Sequence, residues 1–253
     1  MEDYRKHRAY LKSSGWEQVR QLETDQKKGI LHPDLEKGVA EDAKIIKLPA
    51  FQEVAQRETR FYPLFQDRKS HRKFKEDGLL LEEVSFLLWA IQGVKSITKD
   101  GATSFRTVPS GGSRHPFETY VFAQKVDSLD PGLYRYLPIT HELVFLFDRE
   151  DFSDQLTQAC LGQQFVGQAP VSFIWTSIPY RTEWRYAHVA HKIIGIDAGH
   201  MCQNLYLAVE AIDAGTCGIG AYNQQLIDQL LDVDGNDEFV IYLAPIGKVY
   251  SGQ

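Results

Sequence analysis

Cysteine is scarce in this 253-residue chain, with three residues in all. Cys160, Cys202 and Cys217 are odd in number and have no CxxC spacing, so the pattern supports neither a disulfide framework nor a zinc site. Long apolar runs are also missing, and nothing approaches the roughly 20 uninterrupted residues of a membrane helix. The opening "MEDYRKHRAY" lacks the apolar core of a signal peptide. A surplus of positive charge is absent too. Lys and Arg number 28 against 34 Asp and Glu, a formal net charge of −6, which argues against a nucleic-acid partner. There is no G-x-S-x-G elbow, no internal repeat and no low-complexity tract. The expectation is a soluble cytoplasmic protein with neither a membrane nor a nucleic-acid partner.

What is present is an ordinary globular composition, 43% hydrophobic and 25% charged, on a chain long enough for a sizeable core. Residues 1–60 are rich in charge of both signs and carry turn signals at "HPD" and "KLPA", so they read as an arm that packs along something else. Residues 61–253 then form the main domain. "LLLEEVSFLLWAIQG" predicts a helix with Glu82 and Glu83 in its first turn and Gly93 as its stop. "FETYVFAQ", "GLYRY", "HELVFLF", "VSFIWTSI" and "EFVIYLAPIGKVY" read as strands, with helices at residues 151–161 and "QQLIDQLLDV". Residues 184–214 predict one long helix, apolar nearly all round, with Gly215 as its stop and burial in a core or subunit interface. This mixture implies an α+β fold.

Three stretches carry candidate chemistry. In "DRKSHRKF", Arg68, Lys69, Ser70 and Arg72 supply the cations and hydroxyl that a phosphate monoester needs, although a solvated basic run reads the same way. In "RTVPSGGSRHPF", Pro109, Ser110, Gly111 and Gly112 leave a bare backbone that lets a flat ligand approach, or simply turn the chain before a strand. "GTCGIGAY" has the wrong glycine spacing for a dinucleotide fingerprint and follows a helix, but its turn can offer backbone N–H groups to a ring nitrogen. His188, His191, Asp197 and His200 lack the carboxylate spacing of a metal centre, so no metal is expected. Asp197, Gln203 and Asn204 read as hydrogen-bonding residues inside the long helix.

In their order along residues 61–250, "RKSHR", "LLLEEVSFLLWAIQGV", "RTVPSGGSRHPFETYVF", "PGLYRY", "RYAHVAHKIIGIDAGHMCQNLYLAVEA", "GIGAY" and "APIGK" resemble the nitroreductase superfamily, and within it the SagB-type dehydrogenases. The resemblance implies a mixed, mainly antiparallel sheet flanked by helices, in an intertwined homodimer with flavin mononucleotide (FMN) at the interface. It implies that Arg68, Lys69 and Ser70 hold the flavin phosphate with help from Lys248. Pro109, Ser110 and Gly111, supplied by the partner subunit, would line the isoalloxazine. Arg72 would stabilise charge at its N1/C2 edge, and the amides at Ile219 and Gly220 would face N5.

The implied activity is NAD(P)H-driven two-electron reduction of a small electrophile such as a nitroaromatic or quinone. Dehydrogenation of a peptide or small-metabolite heterocycle is an alternative, and a flavin-binding protein without turnover is a third. The heterocycle-oxidising branch carries a Lys-Tyr pair where this chain has Arg185 and Tyr186. Arginine is a poor general base, so proton transfer would fall to Tyr186.

Overall fold

The computed structural model describes residues 8, 10–55 and 61–250; the remainder of the expected arm and the last three residues of the expected domain lie outside the described residues. In chain order its first elements are β1 (Ile45–Lys47), α1 (Gln52–Ala55), α2 (Phe61–Asp67), β2 (Leu79–Leu80), α3 (Leu81–Gln92), β3 (Val94–Ile97), β4 (Ser104–Arg106), β5 (Phe117–Ala123) and β6 (Val126–Asp127). The chain continues through β7 (Gly132–Leu137), β8 (Glu142–Phe147), α4 (Phe152–Ala159), α5 (Gln164–Gly167), β9 (Val171–Ser177), α6 (Tyr180–Tyr186), α7 (Ala190–Glu210), β10 (Ala214–Thr216), α8 (Gln224–Leu230) and β11 (Phe239–Lys248).

Seven strands form one sheet in the order β1-β8-β7-β5-β9-β11-β10, with every neighbouring pair antiparallel. A parallel component enters through the short β2–β6 ladder and a bridge between Ser70 and Thr216. The central strands β5 and β9 are buried along their whole length because both sheet faces are covered, so they read in sequence as continuous apolar runs. Alternate side chains divide between two cores. Val121, Phe173 and Trp175 pack with Leu87, Leu88 and Ile91 of α3 and with Ile194, Met201 and Leu205 of α7. Tyr120, Phe122, Ile174 and Leu243 pack with Leu156 of α4 and with Ile227 and Leu230 of α8. Each fully buried side chain of this size contributes roughly 1.5–3 kcal/mol.

The single long helix expected over residues 184–214 is a broken element. Ala187 adopts φ 46 and ψ −137, which stops α6 and redirects the chain through a single 3₁₀ turn into α7. The second end also differs. Asp213 turns at φ 55, and Gly215 lies inside β10 instead of capping the helix. A β-carbon at Gly215 would meet the His71 ring at 2.6 Å, and one on its cross-strand partner Gly247 would meet Phe74 at 2.8 Å. These glycines therefore let the basic segment lie across the β10–β11 ladder. The helix face is only half covered: Ile194, Ala198, Met201 and Leu205 are buried, whereas Ile196, Gly199, His200 and Gln203 are exposed.

The described part of the arm packs on its own chain. β1 extends the sheet along β8, and residues 35–38 strap a buried charge network. Glu118 accepts from the Arg135 and Arg181 guanidinium groups at 3.1 and 2.6 Å and from the Lys37 backbone amide at 2.9 Å. Arg135 in turn donates to the Lys37 and Gly38 carbonyls, and Arg106 donates to Leu35 O, Gln92 Oε1 and Ser104 Oγ. Lys37 also reaches Glu238, which takes further hydrogen bonds from Tyr120 and Thr176. Burial alone would raise the Glu118 pKa, but the two guanidinium groups and their hydrogen bonds outweigh it and hold the carboxyl below its usual range. No helix among the described residues is long and apolar enough to cross a membrane.

Candidate active site

α7 is the spine of the candidate site, and the segments singled out in the sequence gather at its two ends. Toward the C-terminal end, Tyr206 joins two of them. Its hydroxyl lies 2.9 Å from Ser70 Oγ and accepts from the Gly218 amide at 2.8 Å. The Arg68 guanidinium stands over the same ring, 5.3 Å from its centre. The backbone explains the alignment: His71 donates to Thr216 O at 2.9 Å and Lys75 to Lys248 O at 2.8 Å, pinning the basic segment along the sheet edge.

The cations of this segment remain available. Among the described residues, Arg68, Lys69 and Arg72 form no ion pair, and Lys69 and Arg72 are exposed. Arg72 lines a cleft of about 510 Å³ with Lys73, Lys75, Phe165 and Tyr250. Lys248 is held differently. Its ammonium donates to Glu83 Oε1 and to Ile212 O, both at 2.6 Å, so its charge is already partnered. Ile219 and Gly220 differ likewise. The Ile219 amide donates to Leu243 O at 2.8 Å, whereas Gly220 is exposed and its amide has no protein acceptor among the described residues.

At the other end of α7 lies the turn after Pro109. Ser110 Oγ donates to Asp197 Oδ2 at 2.6 Å, and the Gly111 amide donates to both oxygens of the same carboxylate at 3.0 and 3.2 Å. Ser110 Oγ also accepts from the His115 amide at 3.0 Å. The turn is pressed close to the helix: a β-carbon at Gly111 would meet Ile193 Cγ2 at 2.2 Å, and Gly112 has φ 61. Burial raises the Asp197 pKa, and its hydrogen bonds to Ser110 and Gly111 partly offset this. Burial and the neighbouring Arg106 push His115 down to about 3, which keeps its ring neutral behind the turn.

Tyr186 joins this end, since its hydroxyl lies over Gly112. Asp197 is therefore a buried hydrogen-bonding residue as expected, and Asn204 donates to Ala90 O at 2.9 Å, but Gln203 faces outward. His188, His191 and His200 are exposed on the single chain, and among the described residues no metal-binding cluster forms.

The two ends are well separated within one chain. Asp197 and Tyr206 are nine residues apart, which places them about 13 Å apart along the helix axis and on opposite sides of it. Sequence reading had missed Tyr206. It looks like one more core aromatic, and its bond to Ser70 spans 136 residues, so no local signal marks it.

The comparisons agree with this architecture. The sequence profile of the nitroreductase family matches residues 65–248. A protein of Methanocaldococcus jannaschii named for the nitroreductases is 30% identical over 207 residues, covering 82% of this chain and 98% of that one. Among solved structures, a nitroreductase-like protein of Ralstonia eutropha superposes with a TM-score of 0.66 at 27% identity, over 87% of this chain and 96% of the other. One from Anabaena variabilis gives the same TM-score of 0.66 at 21% identity, over 85% of this chain but only 45% of its own longer length.

Proposed function

The chain belongs to the nitroreductase family, and from that premise we propose that it is an FMN-dependent oxidoreductase driven by NAD(P)H. When bound, the flavin would supply two-electron redox chemistry between the nicotinamide donor and a small electrophile of the nitroaromatic or quinone type. The observation that carries this reading is the set of unpaired cations Arg68 and Lys69 beside Ser70, at the corner built by Tyr206 and Gly218. This donor set fits a phosphate monoester. Burial, then Asp67, raises the pKa of the nearby Glu210, with Arg68 and Lys69 opposing.

Arg72 would offer its guanidinium to negative charge developing on the bound ring, and the Gly220 amide would be a free donor to it. Lys248 acts through Glu83, fixing the sheet edge on which the basic segment lies. The turn at Pro109, Ser110 and Gly111 comes from the second subunit of a homodimer. The opposed ends of α7 favour that arrangement, because one copy completes the half-site of the other. Asp197 holds the turn in shape. Tyr186, above Gly112, is positioned to donate a proton to the acceptor.

The test is a visible absorption spectrum of the purified protein, repeated anaerobically after NADH and then NADPH. Flavin bands that bleach are expected. Protein that neither carries flavin nor takes up added FMN defeats the reading. For Arg72→Ala, flavin affinity should fall about tenfold or the flavin reduction potential should drop. Unchanged values for both would remove Arg72 from the site.

A further inference from the structure

Above the Gly111–Gly112 turn, the chain presents a cation without a counterion beside two aromatic rings. A β-carbon at Gly112 would meet Tyr186 Oη at 2.6 Å, Arg185 Cδ at 2.9 Å and Arg185 Nε at 3.0 Å, so the phenol and the guanidinium stem lie directly over the bare backbone. The Arg185 guanidinium stands 5.7 Å from the centre of the Tyr186 ring. Trp16, contributed by the arm, stands 5.7 Å from the same ring at an interplanar angle of 48°.

Among the described residues, no carboxylate pairs with Arg185. Glu183 on the same helix is engaged by His191 at 2.7 Å. The neighbouring guanidinium, Arg114, is satisfied by the carbonyls of Arg181 and Ala102, at 3.1 and 3.0 Å, and brings no acid with it. Burial and then the Arg185 charge lower the Arg114 pKa, as expected where two cations share a corner without an anion. A half-buried guanidinium in this setting is poised for an incoming carboxylate or phosphate, which it can grip with two parallel hydrogen bonds.

We propose that Arg185 is a specificity-determining residue that binds the carboxylate of a planar aromatic substrate, whose ring rests against Tyr186 and Trp16 over the Gly111–Gly112 turn. The placement next to the reacting centre rests on the reading of this turn as part of the flavin site. Anion binding itself does not depend on that reading. The position thus selects aromatic acids over their neutral analogues, and the arm takes part in substrate choice through Trp16.

The experiment is calorimetric titration of the full-length purified protein with 4-nitrobenzoate and with its neutral analogue 4-nitrobenzamide. The wild type should bind the benzoate about tenfold more tightly. Arg185→Gln should abolish the preference, Arg185→Lys should retain part of it, and Trp16→Ala should weaken both compounds alike. Equal binding of the two by the wild type, binding of neither, or an unchanged preference in Arg185→Gln overturns the proposal. Weakened NADPH binding in Arg185→Gln, with the benzoate preference intact, assigns the cation to the donor and overturns it as well. A benzoate preference in protein whose flavin NAD(P)H cannot reduce leaves the proposal standing while the reductase reading fails.

Discussion

Arg106, Arg135 and Arg181 lie buried beneath the strap of residues 35–38, while Arg68, Arg72 and Arg185 line the flanks of the candidate site with no acid attached. The first group was brought into the core together with the Glu118 carboxylate and with amide and backbone carbonyl oxygens that accept most of its N–H groups, Arg181 Nη1 being left without a partner among the described residues. Burial lowers the Arg106 pKa to about 10, still far above neutrality, so its charge remains. The second group keeps its water and its freedom to take an anion. Identical side chains therefore divide into scaffold and site according to what the fold has already placed beside them. The two groups should respond to mutation in opposite ways, the first through stability and the second through binding.

The largest effect expected is on the buried group. Glu118→Gln leaves Arg135 and Arg181 buried without their carboxylate, and urea unfolding should register a loss of about 3–5 kcal/mol. The pH dependence follows from the depressed Glu118 pKa. Its stabilisation is present above the ordinary carboxylate value of roughly 4.3 and is lost as pH falls through the lower folded value. The wild type should therefore weaken in acid below that range, and Glu118→Gln should flatten this part of the profile. A substitution costing under 1 kcal/mol would mean the network tolerates an unpaired charge, and the contrast would collapse.

Asp197→Ala tests a residue that belongs to both categories, since it is buried yet shapes the turn. Loss of its bonds to Ser110 and Gly111 should cost about 2 kcal/mol in unfolding experiments and weaken flavin retention. A stability loss with flavin affinity intact would confine Asp197 to the scaffold. At the open group, Arg68→Ala and Ser70→Ala should each lower FMN affinity about tenfold while shifting unfolding by less than about 0.5 kcal/mol. Fluorescence titration with FMN against a melting curve separates the two quantities. The smallest effect is expected at the strained break: Ala187→Gly relieves a backbone geometry that disfavours a β-carbon and should stabilise by about 1 kcal/mol. A lowered melting temperature would show that the loss of Ala187's side chain outweighs the relief.

Much of the fold was legible because its signals are local. The helix Leu81–Gln92 was readable from its apolar face, and Glu83 marks its start by accepting from the Leu80 amide at 3.1 Å. The central strands announced themselves as apolar runs. The break at Ala187 left no such trace, since neither proline nor glycine stands there and the surrounding residues favour a helix. Gly215 misled for a related reason. A glycine after a helical stretch resembles a cap, but here it makes room for the ring of His71, 144 residues earlier in the chain. The basic run and the Pro-Ser-Gly turn could be nominated as site segments from residue type alone. Their partners Tyr206 and Asp197 could not, because a buried tyrosine or aspartate in an apolar helix looks the same whether it supports a core or a cradle.

By itself, the sequence determined the α+β class, the order of the elements and the segments able to meet a phosphate or a flat ring. Those properties follow from side-chain periodicity and from the chemistry of adjacent residues, which act over a few positions. Only the tertiary structure decided which arginines are neutralised, which amide beside Ile219 stays free and on which side of α7 each segment lies. Charge pairing and hydrogen bonding depend on distances in space, and the fold sets those between residues that the chain keeps far apart.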